Sequence, residues 1–224
     1  MKTPGRHQIV AEPVHRALAR RLANARQKSC APWLFAREMF SQPAAVGAIW
    51  PSSRQLARRV ASRVPRHGDG LVVELGGGTG AVTHALLQRG IAPARLKVVE
   101  RSPVFVRHLR ARFPRVTILQ GDAAELGALL PRGSCIDAIV SSLPLRSLPA
   151  RVAAAIVAQW GELAGDGSIV VQFTYDLRGT GHLSLPGFLH RASDIVWANF
   201  PPARVLALEY RGAERNPGGL PSLV

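Results

Sequence analysis

Acidic side chains are scarce in this chain: 14 Asp plus Glu stand against 29 Lys plus Arg, which leaves a formal net charge of +15. An uncompensated positive field points to an anionic partner, either nucleic acid or an anionic membrane surface. Cysteine is nearly absent. Cys30 and Cys135 stand alone, without Cys-x-x-Cys or His spacing, which argues against a zinc site and gives no basis for a disulfide. Both are expected to be buried free thiols. No uninterrupted apolar run reaches 18 residues and no basic-then-apolar leader is present, so neither a membrane span nor a signal peptide is expected. A cytoplasmic protein follows as the expectation. Aromatics make up only 6% of the chain, yet 47% of it is hydrophobic over 224 residues, enough for one substantial core with an appendage.

The charge is unevenly spread. Residues 1–68 hold 13 basic groups against Glu12 and Glu38, a net +11, which leaves +4 for the remaining 156 residues. After an unpatterned start, Val14, Ala17, Leu18, Leu22 and Ala25 recur at spacings of three and four among Arg16, Arg20, Arg21 and Arg26, the pattern of a basic amphipathic helix. Shallow membrane contact and ordinary packing against the domain both fit it. The next segment gathers Trp33, Phe35, Met39 and Phe40, which suit either a lipid interface or a core. We therefore divide the chain into a basic helical segment, 1–45, a catalytic domain, 46–211, and a flexible tail, 212–224, rich in Pro and Gly.

Leu71–Gly80, LVVELGGGTG, reads as a buried strand entering a glycine-rich turn, and AVTHALLQ after it has helical spacing. No Lys follows the glycines, so the turn is not a phosphate-binding P-loop. Gly76, Gly78 and Gly80 give G-x-G-x-G, with Glu74 two residues ahead of the first glycine. That arrangement resembles motif I of the class I S-adenosylmethionine-dependent methyltransferases. The resemblance fits the chemistry, since this cofactor has no phosphate and a carboxylate near the turn attracts its methionine ammonium. A second strand, Leu96–Glu100, ends in an acid placed to accept the ribose hydroxyls, with Arg101 beside it. A third strand leads to Asp122; in the class an acid here bonds the adenine amino group and the next amide, that of Ala123, a ring nitrogen. An ordinary Asp turn is the other reading. The fourth strand runs from Cys135 to Val140, with Ser141 at its cofactor end. Then follow a helix over Ala150–Leu163, a fifth strand over Ser168–Thr174 and a terminal pair, Asp194–Phe200 and Ala203–Tyr210. The implied fold is α/β and Rossmann-like: a seven-stranded, mostly parallel sheet with an antiparallel last strand, plus N-terminal helices.

Two flanks narrow the resemblance. VGAIWPSSRQLARRVA reads as a helix entered at Pro51, with Leu56, Val60 and Val64 on one face. Through Gly47, Ala48, Pro51, Ser52, Arg54, Leu56, Ala57 and Arg58 it resembles the signature that precedes motif I in bacterial phospholipid N-methyltransferases. At the corner after the fourth strand, enzymes that methylate nucleobase amines place Asn and a stacking aromatic. This chain has Ser142, Leu143, Pro144 and Leu145 instead, similar to the phospholipid enzymes. QFTY, ending at Tyr175, recurs in that family too.

The resemblance implies S-adenosylmethionine-dependent methylation of phosphatidylethanolamine toward phosphatidylcholine at the inner face of the cytoplasmic membrane. It implies no metal. Cofactor contacts fall to Glu74, Gly76, Gly78, Gly80, Glu100, Arg101, Asp122, Ala123 and Ser141. Substrate contacts fall to Trp33, Pro51, Ser52, Arg54, Leu143, Pro144 and Tyr175, with Tyr175 also the catalytic candidate; an edge aromatic closing the core is its other reading. The amine must lose a proton before attack, and His182 or Tyr175 are candidates to accept it. Phe173, Tyr175 and Trp197 offer aromatic faces to a methylated ammonium. An ornithine-lipid or other aminolipid methyltransferase, an RNA adenine methyltransferase and a noncatalytic membrane-binding protein are the alternative functions.

Overall fold

The computed structural model describes residues 51–177 and 185–212, with side chains from Arg54 onward. Expectations placed on residues 1–50, Trp33 and Cys30 among them, on His182 and on the tail beyond Gly212 lie outside the described residues. The first element is helix α1, Pro51–Ser62. Proline suits the first helical turn, where its missing N–H has no intrahelical acceptor. Leu56, Val60 and Val64, four residues apart, are all buried as their spacing predicts.

Strand β1, Leu71–Leu75, precedes helix α2, Ala81–Gln88; β2, Leu96–Glu100, precedes α3, Pro103–Arg112. Strand β3, Thr117–Gln120, the short helix α4, Leu126–Leu129, and β4, Ile136–Ser141, follow. Helix α5, Ala150–Leu163, then leads to β5, Ile169–Thr174, and to the closing strands β6, Phe188–Val196, and β7, Ala203–Tyr210. They form one seven-stranded sheet in the order β3-β2-β1-β4-β5-β7-β6. β1 to β5 pair in parallel, and β7 runs antiparallel to both β5 and β6. The sheet is the expected Rossmann-like one, six strands in one direction and the last reversed.

Alternation along the strands makes two cores. One face, with Val72, Val98, Val140 and Val171, packs under α1, α2 and α3 around Val60, Leu86 and Leu109. The other, with Val73, Leu75, Ile139 and Val170, packs under α4 and α5 around Leu126, Ile156 and Trp160. Strand order reverses between β1 and β4, so the crevice for a ligand opens at the carboxyl ends of these central strands.

Two expectations need correction. Cys135 is exposed: it lies in the turn before β4, one residue ahead of the first buried side chain, Ile136. Strand β6 begins at Phe188, six residues before the expected Asp194. It is an edge strand with mostly half-exposed or exposed side chains and a register shift at His190/Ala192, so apolar alternation does not mark its first half.

Leu86 is fully buried between α2 and the sheet. Leu86→Ala is expected to lower unfolding free energy by about 2–5 kcal/mol, read as a lower denaturant midpoint; a shift below about 1 kcal/mol would contradict this packing.

Candidate cofactor and methyl-acceptor site

The glycine turn is held from below and open on one side. Gly76, Gly78 and Gly80 have φ of 78°, 50° and 79°, in the left-handed region that glycine adopts without strain. A Cβ on Gly80 would stand 2.5 Å from Phe113, and one on Gly77 2.5 Å from Val98. One on Gly76 would meet Leu143 at 2.9 Å. Only Gly78 has nothing within 4 Å of that position, so the open wall of the turn is there.

Glu100, at the end of β2, ties this wall to the next loop. Its Oε2 accepts from Gly78 N at 2.9 Å and its Oε1 from Ser102 N at 2.8 Å. Each carboxylate oxygen has a second lone pair, which leaves both able to accept a diol hydroxyl. At the end of β3, Asp122 Oδ1 accepts from Ala124 N at 2.9 Å, while Oδ2 lies 3.9 Å from the exposed Arg101 guanidinium. Gly121 N donates to Glu100 O at 3.2 Å, which draws the two strand ends together. Asp122 thus caps its turn and keeps one oxygen toward solvent.

Glu74 is fully buried beneath the turn. Oε2 accepts from Thr83 Oγ1 at 2.7 Å, and Oε1 has no partner among the described residues. Burial raises its pKa from the ordinary 4.5 to about 8; hydrogen bonds from Thr83 oppose the rise and the Glu100 charge adds to it. A buried carboxyl with one unpartnered oxygen fits a cation such as a ligand ammonium.

The corner after β4 holds two more unpartnered polar atoms. Ser141 is buried at the strand end, and Ser142 N donates to Leu75 O at 2.9 Å. Gln172, beside Ser141 on β5, donates from Nε2 to Leu143 O at 3.0 Å and to Phe173 O at 2.6 Å. Its Oε1 and the hydroxyl of Ser142 are buried without partners. Sequence reasoning missed Gln172, although a lone amide within the apolar run of β5 is a readable signal. Arg146 pairs with Asp176 at 3.1 Å, joining the corner to the end of β5.

Tyr175 follows β5, half-buried, its ring 5.9 Å from that of Phe173 in an edge-to-face arrangement. Burial raises its phenol pKa, opposed by a hydrogen bond with the Asn199 side chain. The phenol is therefore neutral at ordinary pH, a hydrogen-bonding group rather than a phenolate. Trp197 is 72% exposed and shares no ring contact with Phe173 or Tyr175 among the described residues.

The expected cofactor residues thus gather along the carboxyl ends of β1 to β4, with Leu143 against Gly76 and Pro144 exposed nearby. Pro51, Ser52 and Arg54 form the first turn of α1; Arg54 is exposed, with no hydrogen bond or ion pair among the described residues.

Residues 72–167 match the family model described as "Methyltransferase domain". The chain is 34% identical over 122 residues to an ornithine lipid N-methyltransferase of Singulisphaera acidiphila, covering 52% of this chain and 64% of that protein. It is 49% identical over 63 residues to ribosomal RNA small subunit methyltransferase A of an Anaeromyxobacter species, covering 28% of this chain and 21% of that protein. The chain thus spans less than two thirds of either relative. In fold it resembles the N-methyltransferase NodS from Bradyrhizobium japonicum WM9 in complex with S-adenosyl-L-homocysteine, with a TM-score of 0.58, 14% identity, and 75% of this chain and 92% of that one covered. The matched stretch runs from β1 to the turn before β5 and so takes in the glycine turn, Glu100, Asp122 and Ser141.

Between about pH 4.5 and 8 the folded state keeps a proton on Glu74 that the unfolded chain has lost. Its contribution is therefore fully present below 4.5 and lost as pH rises through about 8. Glu74→Gln is expected to gain stability relative to wild type steadily across this window, in denaturant titrations without cofactor; a pH-independent difference would contradict the buried acid.

Proposed function

We propose that this chain N-methylates the amine headgroup of a membrane lipid, carrying phosphatidylethanolamine toward phosphatidylcholine with S-adenosylmethionine as donor. The observation that carries the reading is the corner at Ser141–Leu145. It has neither the amide nor the aromatic with which a flipped base is held and stacked, and it closes over two unpartnered acceptors, Ser142 Oγ and Gln172 Oε1. Acceptors suit an amine, which offers N–H donors. The likeness to an ornithine lipid enzyme favours a second reading within the same chemistry, methylation of an amino-acid lipid.

When bound, the cofactor supplies a methyl group on a sulfonium, open to in-line displacement by an amine lone pair. The protein's task is then mainly alignment. Gly78 and Glu100 would form the cradle wall and Asp122 its far end, with Ala123, Arg101 and Ser141 adjoining, and the unpartnered oxygen of Glu74 would hold the ammonium. Leu143 and Pro144 wall the acceptor side and exclude water. Gln172 and Ser142 accept from the substrate amine, and Tyr175, neutral and edge-to-face with Phe173, positions the headgroup and faces the methylated product. The substrate ammonium loses a proton to solvent before attack, which frees its lone pair.

Among the described residues no helix is long and apolar enough to cross a membrane. Docking is assigned to the basic segment 1–45, where charge and amphipathic spacing favour the anionic inner face of the cytoplasmic membrane. Pro51, Ser52 and Arg54, in the first turn of α1, contact the lipid substrate.

Incubation of the full chain with labelled cofactor, in parallel with phosphatidylethanolamine vesicles, ornithine-lipid vesicles and ribosomal RNA, is expected to label lipid, more strongly when anionic lipid is included. Tyr175→Ala is expected to lower turnover by about tenfold or more and Tyr175→Phe by less. Label only in RNA would overturn the lipid reading, and full activity in both variants would remove Tyr175 from the site.

A further inference from the structure

At the far end of α2 from the glycine turn, α1 and α2 finish side by side around an open cavity of about 360 Å³. Ala61 and Ala85 line it together with Arg58, Ser62, Arg66, Gln88 and Arg89. Arg66 Nε donates to Arg89 O at 3.0 Å, and Arg89 Nε donates to Val64 O at 3.1 Å. Each arginine thus caps carbonyls at the end of a helix, where a cation is favoured. Capping accounts for the two Nε groups. It leaves the terminal amino groups of Arg66 and Arg89 without acceptors among the described residues, and Arg58 without any hydrogen bond there.

The contrast with other arginines is informative. Arg63, Arg95, Arg101, Arg146, Arg191 and Arg211 each face a carboxylate. No Asp or Glu lines this cavity. Burial lowers the pKa of Arg89, and the adjacent Arg66 charge adds a smaller push in the same direction. An anion entering between them relieves that repulsion.

We propose that Arg58, Arg66 and Arg89 form an anion site for a phosphate group, carried either by a lipid headgroup or by a small soluble phosphate. Guanidinium forks match phosphate oxygens, and Gln88 adds a neutral donor; Ser62 Oγ donates to Arg59 O at 2.7 Å and only lines the site. The eight residues of α2 separate this site from the cofactor cradle by about 12 Å. Occupancy here leaves the cradle open, so the site stands apart from the methyl-acceptor reading.

The test is calorimetric titration of the full chain with pyrophosphate, alongside sedimentation with phosphatidylglycerol vesicles. Arg58→Gln removes an exposed side chain that makes no hydrogen bond among the described residues, so the fold survives it; Arg107→Gln, on the exposed side of α3, is the control. Pyrophosphate affinity is expected to fall by about tenfold in Arg58→Gln and to stay at the wild-type value in Arg107→Gln, with S-adenosylmethionine affinity unchanged in both. A parallel loss of vesicle binding assigns the phosphate to lipid, and unchanged vesicle binding assigns it to a soluble ligand; either supports the site. No pyrophosphate binding by wild type, equal weakening in both variants, or binding of single-stranded RNA without response to pyrophosphate or vesicles overturns it.

Discussion

A carboxyl group buried under a turn that admits no side chain at Gly77 or Gly80 governs this molecule's site. Glu74 lies wholly inside the fold, with Thr83 its hydrogen-bond donor and one oxygen unpartnered. Directly above it, Gly77 and Gly80 cannot take a Cβ without meeting Val98 or Phe113 at 2.5 Å. The turn is therefore packed against the first core at these two positions. Burying such a group costs free energy unless a partner arrives, and the raised pKa is that cost expressed as retained protonation.

The rest of the edge is assembled by similar bonds between neighbouring strand ends. Glu100 binds the turn at Gly78 and its own loop at Ser102, and Gly121 bonds back to Glu100 O. On the other side, Gln172 holds Leu143, and Leu143 abuts Gly76. Cradle and acceptor corner thus share the glycine turn as a common wall.

The chain makes its cofactor half legible and hides much of the rest for identifiable reasons. β1, β2 and α5 fall where their apolar patterns place them, because each is buried enough for periodicity to register. The places of Glu74, one residue before the end of β1, of Glu100, the last residue of β2, and of Asp122, two residues past β3, are legible because the strands that carry them are. The start of β6 is hidden by its position at the sheet edge, where polar side chains face water. Cys135 follows the general preference of cysteine for burial only until the turn before β4 sets it outside. Gln172 gains its meaning from a partner 29 residues earlier, and the Arg66–Arg89 pair from two helix ends that only packing brings together.

Proton release on cofactor binding tests the role given to Glu74 most directly. Calorimetric titration of S-adenosylmethionine near pH 7, in buffers of different ionisation enthalpy, counts protons leaving the protein. A cation seated on Glu74 makes its neutral carboxyl ionise, so the account predicts release approaching about one proton in wild type and none in Glu74→Gln. Tight binding without proton release, or the same release in both proteins, would contradict it.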